Sequence, residues 1–223
     1  MIYIFHDEAS KEYVSIKGDM HKYLVKVRRH KFGDTINLRN KMLMSALYTY
    51  EIVELDGRSV ELKLLSSVDE EVQNSKELHI GWCLVDVKSI EKVLPTLSEI
   101  GVKKITFISC ERSQNNFKLD FNRFERILEA SMQQSGRSVF MEFATAKNLK
   151  TFLAEYPQTK VFDFCENILE NSSDFETVLI GCEGGFSKEE RELLASQENF
   201  RLATPMVLRS ESAVVGVASK ILL

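Results

Sequence analysis

Ile180-Gly181-Cys182-Glu183-Gly184-Gly185-Phe186-Ser187 is the stretch on which the fold of this 223-residue chain turns. An apolar run, Thr177 to Gly181, leads into it. Ser187 and Glu190 then stand at capping-box spacing and open a helix over Lys188 to Ala195. Strand, glycine turn and helix in that order form a unit of a parallel α/β sheet. The three glycines let the backbone turn tightly and approach a ligand closely. The end of a parallel strand is also where open α/β sheets bind ligands. On its own the loop is a weak signal, open also to a plain tight turn or a phosphate nest.

Upstream, the same alternation continues. Buried strands are expected over His79 to Val85, Lys104 to Cys110 and Lys160 to Cys165. Ile90, Val93, Leu94, Leu97 and Ile100 recur at helical spacing, as do Phe121, Phe124, Ile127, Leu128 and Ser131. Pro95 falls inside the first of these helices and should kink it or move its start. Ser212 to Leu223, apolar and rich in Ala and Val, reads as a final helix. Before residue 66 the pattern differs. Short apolar runs (Tyr3 to Phe5, Thr35 to Leu38, Leu47 to Val53, Val60 to Leu65) are separated by Gly33-Asp34 and Asp56-Gly57, which read as hairpin turns. Polar Ser66 to Lys76 reads as the linker between a small β-rich domain, 1–68, and an α/β domain, 74–223.

Composition sets the outer bounds. With 44% hydrophobic and 28% charged residues the chain reads as an ordinary globular protein, and no apolar run approaches the roughly 18 residues of a membrane span. Met1 to Asp7 lacks the basic and apolar regions of a secretory signal. Cys83, Cys110, Cys165 and Cys182 stand singly, which argues against a zinc site and a disulfide framework and suits idle thiols in a reducing cytoplasm. Net charge is −4, but from Lys17 to Lys41 eight Lys or Arg residues face two acids, while Glu166 to Glu198 is acidic. Such asymmetry would orient the protein on a polyanion, and it also fits a solvated basic face.

Three further blocks stand out. Arg209-Ser210-Glu211 interrupts the apolar run Ala203 to Ala213, as an ion pair, a helix cap or a reactive cluster. Ser98 to Val102 ends a helix at Gly101, and Glu111-Arg112-Ser113 sits just past a strand, where loops carry function. Gln133-Gln134-Ser135-Gly136-Arg137 closes the Phe121 helix, with an arginine suited to the helix dipole.

Taken together and in order, these blocks resemble the RsmE family, bacterial methyltransferases of the SPOUT class that modify N3 of a uridine in 16S ribosomal RNA. The resemblance runs through His21, Val27-Arg28-Arg29, Gly33-Asp34, Glu99-Ile100-Gly101-Val102, Glu111-Arg112-Ser113, Gln133 to Arg137, Gly181 to Phe186 and Val207 to Ala213. Four positions depart from it. Cys182 replaces a loop proline and should loosen the turn. Thr204 replaces a glycine and should alter the backbone there. Thr96 stands where lysine is common, and Gln133 replaces a glutamate.

The resemblance implies a C-terminal α/β domain with a trefoil knot behind a PUA-like barrel, a homodimer, and S-adenosyl-L-methionine as the cofactor with no metal. By the same token the cofactor would meet Phe162, Ile180, Gly181, Glu183, Gly184, Gly185, Met206, Val207 and Leu208. Arg209, Arg112 and Glu211 would serve the chemistry. Lys22, Lys26, Arg28, Arg29 and Lys31 would hold RNA of the small ribosomal subunit. Competing expectations are a knotted enzyme for another RNA position and a non-catalytic ribosome-assembly factor, the latter prompted by Thr204.

Overall fold

A computed structural model describes residues 2–114, 118–170 and 175–223. The chain divides into two compact units, Met1–Gln73 with Met132–Val139, and Asn74–Ser131 with Phe140–Leu223.

The first unit is a five-stranded sheet in the order β1-β3-β4-β5-β2, built from β1 (Ile4–Phe5), β2 (Tyr13–Lys17), β3 (Thr35–Asn40), β4 (Leu43–Leu55) and β5 (Ser59–Asp69). Every pairing is antiparallel except β1 with β3. One face is apolar because alternate residues point inward: Val14 and Ile16, Tyr50 and Ile52, Val60 and Leu62 are all buried in one cluster. Each such side chain contributes roughly 1.5–3 kcal/mol by leaving water. Asp56 and Gly57 do close a hairpin, between β4 and β5. Gly33-Asp34 does not. It follows a short helix α1 (Gly18–Lys22) and a π-helical turn, Tyr23–Val27, and leads into β3. The expected linker is also shorter than its polarity suggests, since Ser66 to Asp69 belong to β5 and pair with β4. On an exposed stretch of a strand, polar residues cost nothing.

Residues Met132–Val139 are part of this unit through specific bonds. Gln133 accepts from the backbone N–H of Ile2 (2.8 Å) through its carbonyl and from that of Phe5 (3.1 Å) through its side chain. The Tyr3 hydroxyl donates to the Arg137 carbonyl at 2.6 Å. Ser138 and Val72 bond each other twice. Arg137 is therefore no surface charge on a helix dipole. It is buried, and its Nε donates to the Val139 carbonyl at 2.5 Å.

The second unit is a six-stranded sheet, all parallel, in the order β11-β9-β10-β6-β7-β8. Its strands are β6 (His79–Cys83), β7 (Lys104–Ile108), β8 (Glu142–Ala146), β9 (Lys160–Phe162), β10 (Thr177–Ile180) and β11 (Asn199–Phe200). Helices α2 (Val87–Ile100), α3 (Phe121–Ser135), α4 (Leu149–Glu155), α5 (Lys188–Leu194) and α6 (Ser210–Leu222) complete the alternation. All five residues of β6 are buried, as a central parallel strand requires. A Cβ at Gly81 would enter the ring of Phe152 on α4, so this glycine sets the close approach of helix to sheet.

Helix α2 is capped by the Asp86 carboxylate, which accepts from Ser89 N–H, and ends at Gly101 with φ of 103°. It buries Ile90, Val93, Leu94 and Leu97 and packs on α6. Its start stays at Val87 and the helix continues past Pro95, so the proline does not move the start. Of the acidic stretch Glu166 to Glu198, residues 171–174 lie outside the described residues, as does Met1.

The cysteines depart from the reading as idle thiols. Cys83 and Cys110 form a disulfide, with Cα atoms 5.8 Å apart. β6 and β7 are neighbours with Cys83 beside Ile108, so the sheet brings together two residues that sequence spacing keeps apart. Cys165 and Cys182 are free. No described helix is long and apolar enough to cross a membrane.

Candidate functional site

The sheet order reverses around β10. The chain lays β6, β7 and β8 outward to one side, then returns to place β9 and β10 on the other, with β10 inserted beside β6. At such a switch point the loops leaving the strands splay apart and open a crevice. A cavity of about 500 Å³ lies there. Its walls come from Phe162, Asp163 and Phe164 after β9, from Ile180 through Phe186 after β10, and from the segment Leu202 to Leu208 after β11. Arg112, beyond β7, closes one side.

The glycine loop is shaped by local demands. The Cys182 carbonyl accepts from Gly185 N–H at 2.9 Å, so the turn closes with cysteine in place of proline. Gly185 has φ of 63°, a left-handed conformation that costs other residues about 1–2 kcal/mol. A Cβ at Gly184 would come within 3.2 Å of the Arg112 side chain. That clearance lets the Arg112 guanidinium donate to the Gly184 carbonyl at 2.8 Å. Burial pushes the Cys182 thiol above its usual range, which keeps it protonated.

Two buried side chains hold the loop in place. Ser210, the first residue of α6, donates to the Gly181 carbonyl at 2.5 Å and accepts from the Trp82 indole N–H at 2.8 Å. One hydroxyl thus links the central strand, the last helix and the glycine loop. Glu190 forms the expected capping box with Ser187, and its second carboxylate oxygen accepts from Glu111 N–H at 2.8 Å. The segment bearing Arg112 is thereby tied to the helix that follows the glycines. Across the cavity Arg191 on α5 makes an ion pair with Asp163.

All nine residues expected around the cofactor line this cavity: Phe162, Ile180, Gly181, Glu183, Gly184, Gly185, Met206, Val207 and Leu208. Arg112 is there as well. Arg209 and Glu211 are not among the lining residues, although Leu208 and Ser210 on either side of Arg209 are. Arg209 is exposed at the N-cap of α6 and Glu211 is half-buried in its first turn. Among the described residues neither makes an ion pair, so the structural pair suggested by their spacing is absent. Residues two apart at a helix start point to different sides.

Thr204 adopts no left-handed backbone. Its hydroxyl accepts from Met206 N–H at 3.2 Å, a local turn that needs no glycine.

In the first unit, Lys22, Lys26, Arg28, Arg29 and Lys31 are all exposed on α1, the π-helical turn and the loop after it. Lys22 is paired with Asp19, and Arg28 lies over the Tyr23 ring. Arg39, counted in the same basic run, is buried and bonded to the carbonyls of Met44 and Ser45, so it presents no charge to a partner. Trp82, Asp163 and Arg191 carry no signal in the sequence. Glu190 shows through its capping box and Ser210 only as a member of the Arg209-Ser210-Glu211 block.

A parallel sheet with a ligand cavity at its switch point admits many chemistries, and comparison with known proteins narrows them to one class. Residues 72–222 match the family described as RNA methyltransferase domain. The chain is 40% identical over 223 residues to the ribosomal RNA small subunit methyltransferase E of Helicobacter pylori, covering 98% of each. It is 26% identical to the protein of that name from Aquifex aeolicus, over 78% of this chain and 80% of that one. Its fold matches the structure of the Neisseria gonorrhoeae protein of that name bound to S-adenosyl methionine, with a TM-score of 0.76 over 98% of this chain and 95% of that one, at 17% identity. The chain belongs to the ribosomal RNA small subunit methyltransferase E family.

Proposed function

We propose that this protein transfers a methyl group from S-adenosylmethionine to N3 of a uridine in 16S ribosomal RNA. The observation that carries the reading is the cavity at the switch point, in a chain 40% identical over nearly its whole length to a relative named for that class of activity. The residues present fit the cofactor. Gly184 and Gly185 allow close backbone approach, while Met206, Val207, Leu208 and Phe162 supply apolar walls suited to an adenine. When bound, S-adenosylmethionine supplies an electrophilic methyl group.

The chain's own task is to make a poor nucleophile reactive. Uridine N3 carries a proton between two carbonyls, and negative charge spreads onto O2 and O4 as that proton leaves. Arg112, which lines the cavity, would meet this charge. One guanidinium N–H is spent on Gly184 while its fork carries five in all. A donor aimed at developing charge contributes roughly 3 kcal/mol. Arg209, between two cavity-lining residues, is the second candidate cation, and Glu211 the candidate proton acceptor. Lys22, Lys26, Arg28, Arg29 and Lys31 would hold phosphates, which gives affinity and salt dependence without base choice.

The finer assignments rest on the same reading. The α/β unit, taken as residues 74–223, would carry the trefoil knot. Its support is that loops after β9, β10 and β11 converge on one cavity. The β-rich unit, taken as 1–68, would be PUA-like, its support being the mostly antiparallel five-stranded sheet. A homodimer in the cytoplasm completes the proposal. The assembly-factor alternative rested on Thr204, whose ordinary backbone removes its motive.

The test is to incubate the purified protein with S-adenosylmethionine and small subunits from a strain lacking the corresponding methyltransferase, then digest the RNA for mass spectrometry. One 3-methyluridine per subunit is expected. A different methylated nucleoside, or no methylation despite cofactor binding by calorimetry, overturns the assignment.

A further inference from the structure

The first unit holds an aromatic side chain out in water on a backbone that leaves it no alternative. Phe32 is 72% exposed. Asp34 N–H donates to the Lys31 carbonyl at 3.1 Å, and Gly33 has φ of 83°, so Lys31 to Asp34 form a β-turn of type II with Phe32 at its outer corner. The Asp34 carboxylate accepts from Lys31 N–H at 2.9 Å and locks the turn from within. That bond holds the carboxyl below the usual aspartate range. Gly33 N–H donates to Ile52 and Ile52 N–H to Asp34, both at 2.9 Å, which pins the turn to β4. On the other side Arg29 takes a left-handed φ of 60°, a conformation a non-glycine residue adopts only when its surroundings impose it. His30 N–H is fixed on the Leu24 carbonyl at 3.1 Å.

A rigid turn that exposes a phenyl ring forgoes the gain of burying it. The ring's neighbours say what would cover it. Arg28, Arg29 and Lys31, its neighbours along the chain, are exposed as well, a setting that attracts a polyanion. Cations that track a phosphate backbone, with an aromatic face between them, are the elements of single-stranded nucleic-acid recognition.

We propose that Phe32 is a stacking platform for one unpaired base of the RNA, held next to the phosphate-binding cations by the Lys31–Asp34 turn. This rests on the reading of the chain as acting on RNA, and extends it from charge to single-strand recognition. The ring acts by contact with a base face, so its role differs from that of the lysines and arginines in two measurable ways. It favours unpaired over paired RNA, and it releases no counterions.

The experiment uses the full chain with two probes, an RNA hairpin whose loop carries a fluorescent 2-aminopurine and a blunt duplex of equal length. Phe32→Leu keeps the apolar volume without the ring, and Phe32→Trp keeps a ring. Phe32→Leu should weaken hairpin binding by about 5- to 150-fold. It should leave duplex binding and the salt slope unchanged, and abolish the quenching of 2-aminopurine that the wild type and Phe32→Trp produce. Lys31→Ala should instead weaken both probes and lower the salt slope by about 0.7–0.9. Hairpin affinity unchanged in Phe32→Leu, equal losses on both probes, or a changed oligomeric state overturns the stacking role. Failure of the wild type to bind either RNA overturns the RNA reading itself, and the platform with it.

Discussion

The two ends of the parallel sheet use the same strands for opposite purposes. At the carboxyl ends of β9 and β10 the backbone splays into glycine-bearing loops around a cavity of about 500 Å³. At the amino ends, the side chains that line a second recess are engaged with one another. His79 Nε2 lies 2.8 Å from the Thr106 hydroxyl and its ring meets Tyr156 edge-on, while Lys104 donates to the Tyr156 hydroxyl at 2.9 Å and Lys103 pairs with Glu77. One end is held open by two side chains, Ser210 and Glu190, working from outside the loop. At the other, the lining side chains satisfy one another. The carboxyl-end loops are thus shaped by side chains bonded to their backbone, the amino-end recess by side chains bonded to one another.

Filling the open end should have the largest effect. Gly184→Val places a branched side chain against Arg112 and breaks the packing on which the Arg112–Gly184 bond depends. A loss of at least 100-fold in kcat/KM is expected, with S-adenosylmethionine affinity falling in calorimetry and the urea midpoint nearly constant. Wild-type turnover would show that the loop tolerates bulk and that the cavity is not the reaction site.

The amino end answers to pH instead. Burial, reinforced by the positive charge of Lys104, lowers the His79 pKa to about 4. The unfolded imidazole takes up a proton near its ordinary value of about 6.5, so its contribution is present above that pH and is lost as pH falls toward 4. The full difference is on the order of 3 kcal/mol. His79→Gln, which keeps a partner for Thr106, should lose less stability than the wild type between pH 7 and pH 4.5 in urea titrations. Identical pH dependence of the two proteins would remove His79 from the account.

The smallest effect concerns a tether. Glu190→Gln retains one acceptor for the capping box and gives up the bond from Glu111 N–H. About a tenfold loss in kcat/KM is expected, in line with a hydrogen bond to a charged group, with little change in thermal midpoint. Replacement by Ala removes both bonds and should also destabilise. Unchanged kinetics in Glu190→Gln would mean that Arg112 is positioned without it.

These contrasts track what could be read from the residues alone. The glycine loop was legible because Gly185 meets a backbone demand that glycine satisfies best, and Ser187 with Glu190 because a cap has fixed spacing. The central strands showed as apolar runs. β2 gives a weaker signal, since Tyr13 to Lys17 is short and buries only Val14 and Ile16. The Trp82–Ser210 bond, the Asp163–Arg191 pair and the Cys83–Cys110 disulfide were out of reach for another reason. Each joins residues that only the sheet order brings together. Arg39 and Arg137 show the reverse error. A basic residue counts toward a surface field only if it is at the surface, and charge along a chain does not say which side a strand turns.

The insertion of β10 between β9 and β6 also governs when the protein can exist. Its central pairing sets Thr177 beside His79, so one edge of β6, whose other edge pairs with β7, must wait for a partner from far along the chain. Such long-range closure makes folding slow, because the loop entropy is lost before the contacts form. During synthesis the first unit's meander of β3, β4 and β5 can assemble early from local hairpins. The nascent α/β segment meanwhile carries an unpaired apolar strand edge until Ile180 has emerged, and through that interval it is the part of the chain most in need of chaperone cover.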